Sequence, residues 1–204
     1  MIERVAPPSR GNPAKTTDWI AGVDEAGRGP LAGPVAAAAV ILDPCCMPEG
    51  IDDSKKLSQS QRVIAFDAIL KQAVAVSFAL LPPADIDRLN IRGAALEAMR
   101  RAVAGLSLAP DLVLVDGRDI PPGLPCPARA IIGGDGSEPA IGAASIVAKV
   151  MRDRLMTRLG QDWPAYGFEI HKGYGTVRHR DAIAAAGATV HHRRSFAPFK
   201  NGTP

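Results

Sequence analysis

Asp24 and Glu25 stand side by side where an apolar run meets a glycine-rich turn, in Trp19-Ile20-Ala21-Gly22-Val23-Asp24-Glu25-Ala26-Gly27-Arg28-Gly29-Pro30. A strand that delivers two carboxylates into Gly-Arg-Gly sets negative charge beside open backbone amides and a guanidinium. Acids so placed hold a divalent cation, and free amides donate to a polar substrate. Alone, such a pair is most often a strand ending in a solvated turn. Two further acids change the reading: Asp116 closes the apolar run 112–115, and Asp135 follows 130–132 through Gly133-Gly134. Acids at the ends of adjacent strands come within about 5 Å of one another. Several carboxylates in one small space are what two-metal phosphodiester cleavage needs, and oxygen-only ligands select Mg²⁺ or Mn²⁺ rather than zinc.

Neighbouring strand residues point to opposite faces, so Asp24 and Glu25 share a site only if the strand stops there. The expectation is that Glu25 lies at or past the last regular ladder position. Viewed singly, Asp116-Gly117 and Asp135-Gly136 are ordinary turn dipeptides. Asp153, in Arg152-Asp153-Arg154, competes as a site acid but reads as a helix-surface ion pair with its arginines.

The elements that must position these residues follow from the apolar pattern. Residues 18–24 read as a first strand and 35–42 as a second, paired through a turn at 25–34. Ser58 and Gln61 form a capping box for a helix reaching about residue 72. Residues 74–81 alternate as a third strand. Residues 85–104 have helical spacing, with Gly93 as the one weak point. Short strands at 112–115 and 130–132 precede a strong helix over 139–159. Thr176 caps a last helix over 177–186, which Gly187 ends. The order predicts an α/β fold, with antiparallel strands first and then strands joined through helices. One domain over 18–200 accounts for the chain, with a helical, basic extension over about 160–200. Residues 1–17, rich in Pro, Gly, Ser and Lys, read as a flexible lead-in.

Composition narrows the class. Hydrophobic residues make up 47% but aromatics only 4%, so Ala, Val, Ile and Leu must build the core. The net charge of +3 permits a polyanionic partner without demanding one. Between residues 171 and 200 the only acid among many Lys, Arg and His is Asp181, which suits either phosphate binding or a solvated tail. Cys45, Cys46 and Cys126 give neither a disulfide framework nor a zinc spacing and read as reduced thiols. No apolar stretch approaches the ~18 residues of a membrane span. The expectation is a cytoplasmic monomer with no membrane partner.

Several separate strings together resemble the ribonuclease HII (type 2 ribonuclease H) family. They are Gly22 through Val35, Asp53-Ser54-Lys55-Lys56-Leu57, Ile86-Asp87-Arg88-Leu89-Asn90-Ile91, Val115-Asp116-Gly117 and Gly134-Asp135. Ala143 through Val150 with Arg152-Asp153, His171-Lys172-Gly173-Tyr174-Gly175-Thr176 and His192-Arg193-Arg194-Ser195-Phe196 complete the set. The resemblance implies an RNase H-like mixed five-stranded sheet flanked by helices, with a C-terminal helical extension. It implies cleavage of RNA in RNA–DNA hybrids and 5′ of single ribonucleotides in duplex DNA, leaving 5′-phosphate and 3′-hydroxyl ends. It maps the metal-binding acids onto Asp24, Glu25 and Asp116, with Asp135 as fourth member and two Mn²⁺ or Mg²⁺ ions as cofactor. Gly27, Arg28 and Gly29 would contact the ribonucleotide, and Tyr174 would pack on the deoxyribose to its 3′ side. Lys55, Ser145 and Lys149 would line the substrate groove.

Two other readings compete. A junction resolvase of the same superfold would act on DNA alone, but Gly27-Arg28-Gly29 with Tyr174 suits reading of a sugar. A binding module without catalysis would be hindered by four acids facing phosphate. A replication or repair partner reached through the termini is left open by the sequence.

Overall fold

Alanine decides how closely the layers of this fold approach. A computed structural model describes residues 18–51 and 57–199. Strand β2 (Val35–Ile41) is an interior strand whose seven residues Val-Ala-Ala-Ala-Ala-Val-Ile are all buried. Val35, Ala37, Ala39 and Ile41 face one layer, and Ala38 and Val40 face the other. A run apolar on both faces is what a strand covered from two sides requires.

Strand β1 (Ile20–Ala26) and strand β3 (Ala75–Leu81) flank β2, both antiparallel to it. Strand β4 (Leu112–Asp116) joins β1 in parallel, and β5 (Ala128–Ile131) joins β4 in parallel. The sheet is therefore mixed and five-stranded, in the order β3-β2-β1-β4-β5. This is the α/β architecture the element order predicts.

Helix α1 (Gln59–Gln72) begins at Ser58, whose side chain accepts from the Gln61 amide while Gln61 reaches back to the Ser58 amide. Helix α2 (Pro83–Ala104) covers one face of the sheet with Ala94, Ala95, Ala98 and Ala102. Helix α3 (Pro139–Asp162) covers the other with Ala143, Ala144 and Ala148, beside Phe66 and Ile69 of α1. The approach is closest at Gly22, where a Cβ would lie 2.0 Å from the backbone of Ala140. No side chain fits between β1 and the start of α3.

The weak point of α2 is not where the sequence puts it. The helix breaks at Asn90, which adopts φ 58° and ψ 167°, while Gly93 stays helical. Asn90 Oδ1 accepts from the Gly93 amide at 3.0 Å, so the side chain starts a second helical segment as an N-cap does. Asparagine tolerates positive φ better than other non-glycine residues.

The C-terminal part forms its own small cluster. Tyr166, Phe168, Ile183 and Phe199 pack on Ala32 and on Met156 of α3. The short helix α4 (Phe168–His171) and helix α5 (Val177–Ala186), capped by Thr176 and followed by Gly187, carry it. The basic stretch is not a solvated tail: His171, His179, His192 and Arg193 are buried. The three cysteines are free thiols. Among the described residues no helix is long and apolar enough to cross a membrane.

Candidate active site

Strand registry brings the acids together. The β1/β4 ladder ends at Val23 opposite Val115, so Asp24 and Asp116 are the next positions on each strand. Asp24 follows the alternation toward α3, and Glu25 toward α2. On the β2 side the ladder runs on, with Glu25 opposite Ala37 and Ala26 opposite Ala36. This corrects the sequence expectation: Glu25 lies within the last regular pairs on that edge, and only the β4 edge ends before it. Divergence from β4 opens the sheet, and the two acids flank that opening from opposite faces.

Asp24, Glu25 and Asp116 line one cavity of about 280 Å³, together with Gly27, Arg28, Gly29, Ser145, Lys149 and Tyr174. Arg62 and Arg152, which sequence reasoning did not select, complete its wall. A signal for Arg152 exists, because Ser145, Lys149 and Arg152 recur at helical spacing on one face of α3. Arg62 carries no comparable signal. Asp135 stands apart: it is buried in the 3₁₀ turn Gly134–Gly136 and lines a separate cavity of about 90 Å³ beside Ile51 and Glu138. Lys55 lies outside the described residues.

The electrostatics of the three acids are unfavourable as they stand. Burial raises the Asp24 carboxyl well above its usual range, with Glu25 and Asp116 adding repulsion and a hydrogen bond from Ser145 working against the rise. Burial also raises Glu25, although Arg28 opposes it through an ion pair of 3.3 Å. A divalent cation among these oxygens would remove that repulsion. Among the described residues no group of three or more His, Cys, Asp or Glu side chains is gathered closely enough to hold a metal ion as it stands. An open set of carboxylates suits Mg²⁺, which keeps several waters and takes further ligands from a substrate phosphate.

Cations border the acids. Lys149 Nζ pairs with Asp153 at 2.9 Å along α3. Asp153 thus has a lysine partner, not the arginines the sequence suggests. Arg152 is instead buried and donates to the carbonyls of Pro34 and Ala32 at 3.0 and 3.2 Å. A groove of about 190 Å³ between α1 and α3 continues from the cavity past Arg62, Arg154 and Lys172. Lys172 Nζ is fixed there by Thr157 Oγ1 at 2.6 Å and the Glu169 carbonyl at 2.7 Å. Tyr174 is about half exposed at the cavity mouth, its ring beside Gly29.

The family model for ribonuclease HII matches residues 21–199. A ribonuclease HII from Mesorhizobium japonicum is 60% identical over 184 residues, covering 90% of this chain and 80% of the relative. The crystal structure of ribonuclease H2 from Pyrococcus horikoshii OT3 superposes with a TM-score of 0.75 at 26% identity, over 90% of this chain and 96% of that one. The PCNA–RNase HII complex from Archaeoglobus fulgidus gives a TM-score of 0.69 at 29% identity, over 86% and 93% of the two chains.

Proposed function

From the premise that this chain belongs to the ribonuclease HII family and is a ribonuclease H, we propose that it cuts duplex DNA 5′ of a single embedded ribonucleotide as well as the RNA of longer RNA–DNA hybrids. The observation that carries this reading is one cavity lined both by Asp24, Glu25 and Asp116 and by Gly27, Arg28, Gly29 and Tyr174. The first set suits phosphodiester chemistry and the second suits inspection of a sugar.

Asp24, Glu25 and Asp116 would hold Mg²⁺ or Mn²⁺; Asp135, which lines a separate cavity, would join them only through a shift of its turn. Bound there, the ions would activate the attacking water and neutralise charge on the departing 3′-oxygen, leaving 5′-phosphate and 3′-hydroxyl ends. Ser145 holds the Asp24 carboxylate by its hydrogen bond. Arg28 neutralises Glu25 in the free protein and is exposed enough to turn to a phosphate when substrate arrives. Open backbone at Gly29 lets the chain approach the 2′-hydroxyl, the group that separates RNA from DNA. Tyr174 would pack on the next sugar and reject a 2′-hydroxyl there by contact. Lys149, Arg62 and the groove toward Lys172 would follow the phosphates of the flanking strand, and Lys55 would add to them. The complex of the Archaeoglobus fulgidus relative with PCNA supports a replication partner for this chain too.

The test is cleavage of a DNA duplex carrying one ribonucleotide, with Mg²⁺, Mn²⁺ or EDTA, beside an all-DNA duplex. The expected result is a metal-dependent cut 5′ of the ribonucleotide with the control intact. A protein that binds the duplex but cuts with neither metal would instead be a binding module.

A further inference from the structure

Arg193 is fully buried, and its guanidinium grips the backbone of the Gly27–Pro34 turn. Nη2 donates to the Gly27 carbonyl at 2.6 Å and the Pro34 carbonyl at 3.2 Å, Nη1 to Arg28 at 2.8 Å, and Nε to Gly33 at 3.0 Å. Burying a charge is costly, and a turn needing only stability is held more cheaply by apolar packing. A planar fork of five donors does what packing does not: it fixes the direction of several carbonyls at once.

That direction determines where the opposite ends of the same peptide units point. In a trans peptide the N–H lies opposite the preceding carbonyl. With the Gly27 and Arg28 carbonyls drawn inward onto Arg193, the amides of Arg28 and Gly29 point outward, on the side of the cavity. Arg193 is itself anchored from α2. Asp87 accepts from the Arg194 amide at 2.9 Å, the Ser195 amide at 2.8 Å and the Ser195 hydroxyl at 2.6 Å.

We propose that Arg193, anchored through Asp87, is a positioning residue for this enzyme: it aims the backbone amides of Arg28 and Gly29 at the ribonucleotide without touching substrate. The inference rests on the sugar-reading role proposed above. Burial pushes the guanidinium down to about 9, so it stays charged at neutral pH and the grip persists under working conditions.

The test uses the full chain as wild type, Arg193→Lys and Asp87→Asn, with thermal melting measured alongside kinetics. Lysine keeps the charge but lacks the fork, and asparagine loses part of the anchor. Each protein is assayed for kcat and KM on a duplex with one ribonucleotide and on a long RNA–DNA hybrid. For Arg193→Lys the expected loss in kcat/KM is about 100-fold on the single ribonucleotide, the scale of a misplacement near 1 Å. On the hybrid, where every sugar offers a 2′-hydroxyl and many registers are productive, the expected loss is about 10-fold or less. Asp87→Asn should shift the same ratio in the same direction, and it decides the matter if Arg193→Lys fails to fold. Equal losses on both substrates, or none in a folded variant, would overturn the proposal. Wild type that leaves the single ribonucleotide uncut would overturn the sugar-reading role itself, a failure visible before any variant is compared.

Discussion

Gly27 and Gly29 sit two residues apart in one turn, and alanine at each should have opposite consequences. At Gly27 the backbone φ is +91°, and a Cβ would lie 2.0 Å from Arg152 Nε and 2.4 Å from its Cδ. The left-handed conformation costs about 1–2 kcal/mol for a residue with a Cβ, and forced overpacking adds about 1–3 kcal/mol. Arg152 has little room to yield, because it holds the Pro34 and Ala32 carbonyls. Gly27→Ala should therefore lose about 2–5 kcal/mol, or roughly 4–20 °C in Tm for a chain of this size. Gly29 has neither constraint: its Cβ would meet Tyr174 Cε1 at 3.6 Å, an ordinary contact. Gly29→Ala should stay within about 0.5 kcal/mol of wild type in stability. Its methyl group would nevertheless stand between Tyr174 and the amide proposed to read the sugar, and activity on a single ribonucleotide should fall by about 100-fold. Differential scanning calorimetry and cleavage kinetics on the same preparations check both halves. A Gly29→Ala protein that cuts as wild type does would refute the close backbone approach. One destabilised as much as Gly27→Ala would show that the fold, not the substrate, requires glycine there.

Further outcomes follow from the site and its surroundings. Because burial and its neighbours raise the Asp24 carboxyl, the folded metal-free protein binds its proton more tightly than the unfolded chain does. Metal-free stability from this group should thus fall as pH rises from the usual carboxylate range through the raised value. Asp24→Asn should melt higher than metal-free wild type at pH 8 while losing about 10³-fold or more in rate; a lower melting point would refute the repulsion. Tyr174→Phe should cut at the wild-type rate and Tyr174→Ala should lose more on a single ribonucleotide than on a long hybrid, as parallel assays would show. His192 is held down to about 4 from an ordinary 6.5, chiefly by burial, with His179 and Arg194 adding to it. Its Nδ1 accepts from the Thr189 amide, so protonation would set two N–H groups against each other. Stability from this group is present above about pH 6.5 and lost as pH falls toward 4. Melting curves of wild type and His192→Gln across that window should converge at low pH.

The first four strands were legible because each is a largely apolar run near acids, glycines or prolines, whereas β5 spans Ala128–Ile131 with Arg129 inside it and starts two residues before the expected 130–132. The convergence of Asp24 and Asp116 was legible for the same reason, since both close such runs. The break in α2 was not, because Asn90 looks like any polar residue on a helix surface, whereas Gly93 carries the familiar warning. Its cause is a side-chain hydrogen bond that only coordinates reveal. Arg193 was hidden within a cationic string. Nothing local distinguishes it from Arg194, and the carbonyls it serves lie about 160 residues earlier in the chain. Arg152 was misassigned as a surface residue through its neighbour Asp153, although its helical phase with Ser145 and Lys149 placed it on the buried side.

The grip of Arg193 on the Gly27–Pro34 turn also orders events during synthesis. The chain emerges from its N-terminal end, so β1, β4 and their acids leave the ribosome well before the segment around residue 193. The turn beside those acids receives its clamp only after the segment around residue 193 has left the ribosome. A nascent chain would therefore carry the acids of the site before it carries the side chain proposed to aim the neighbouring amides.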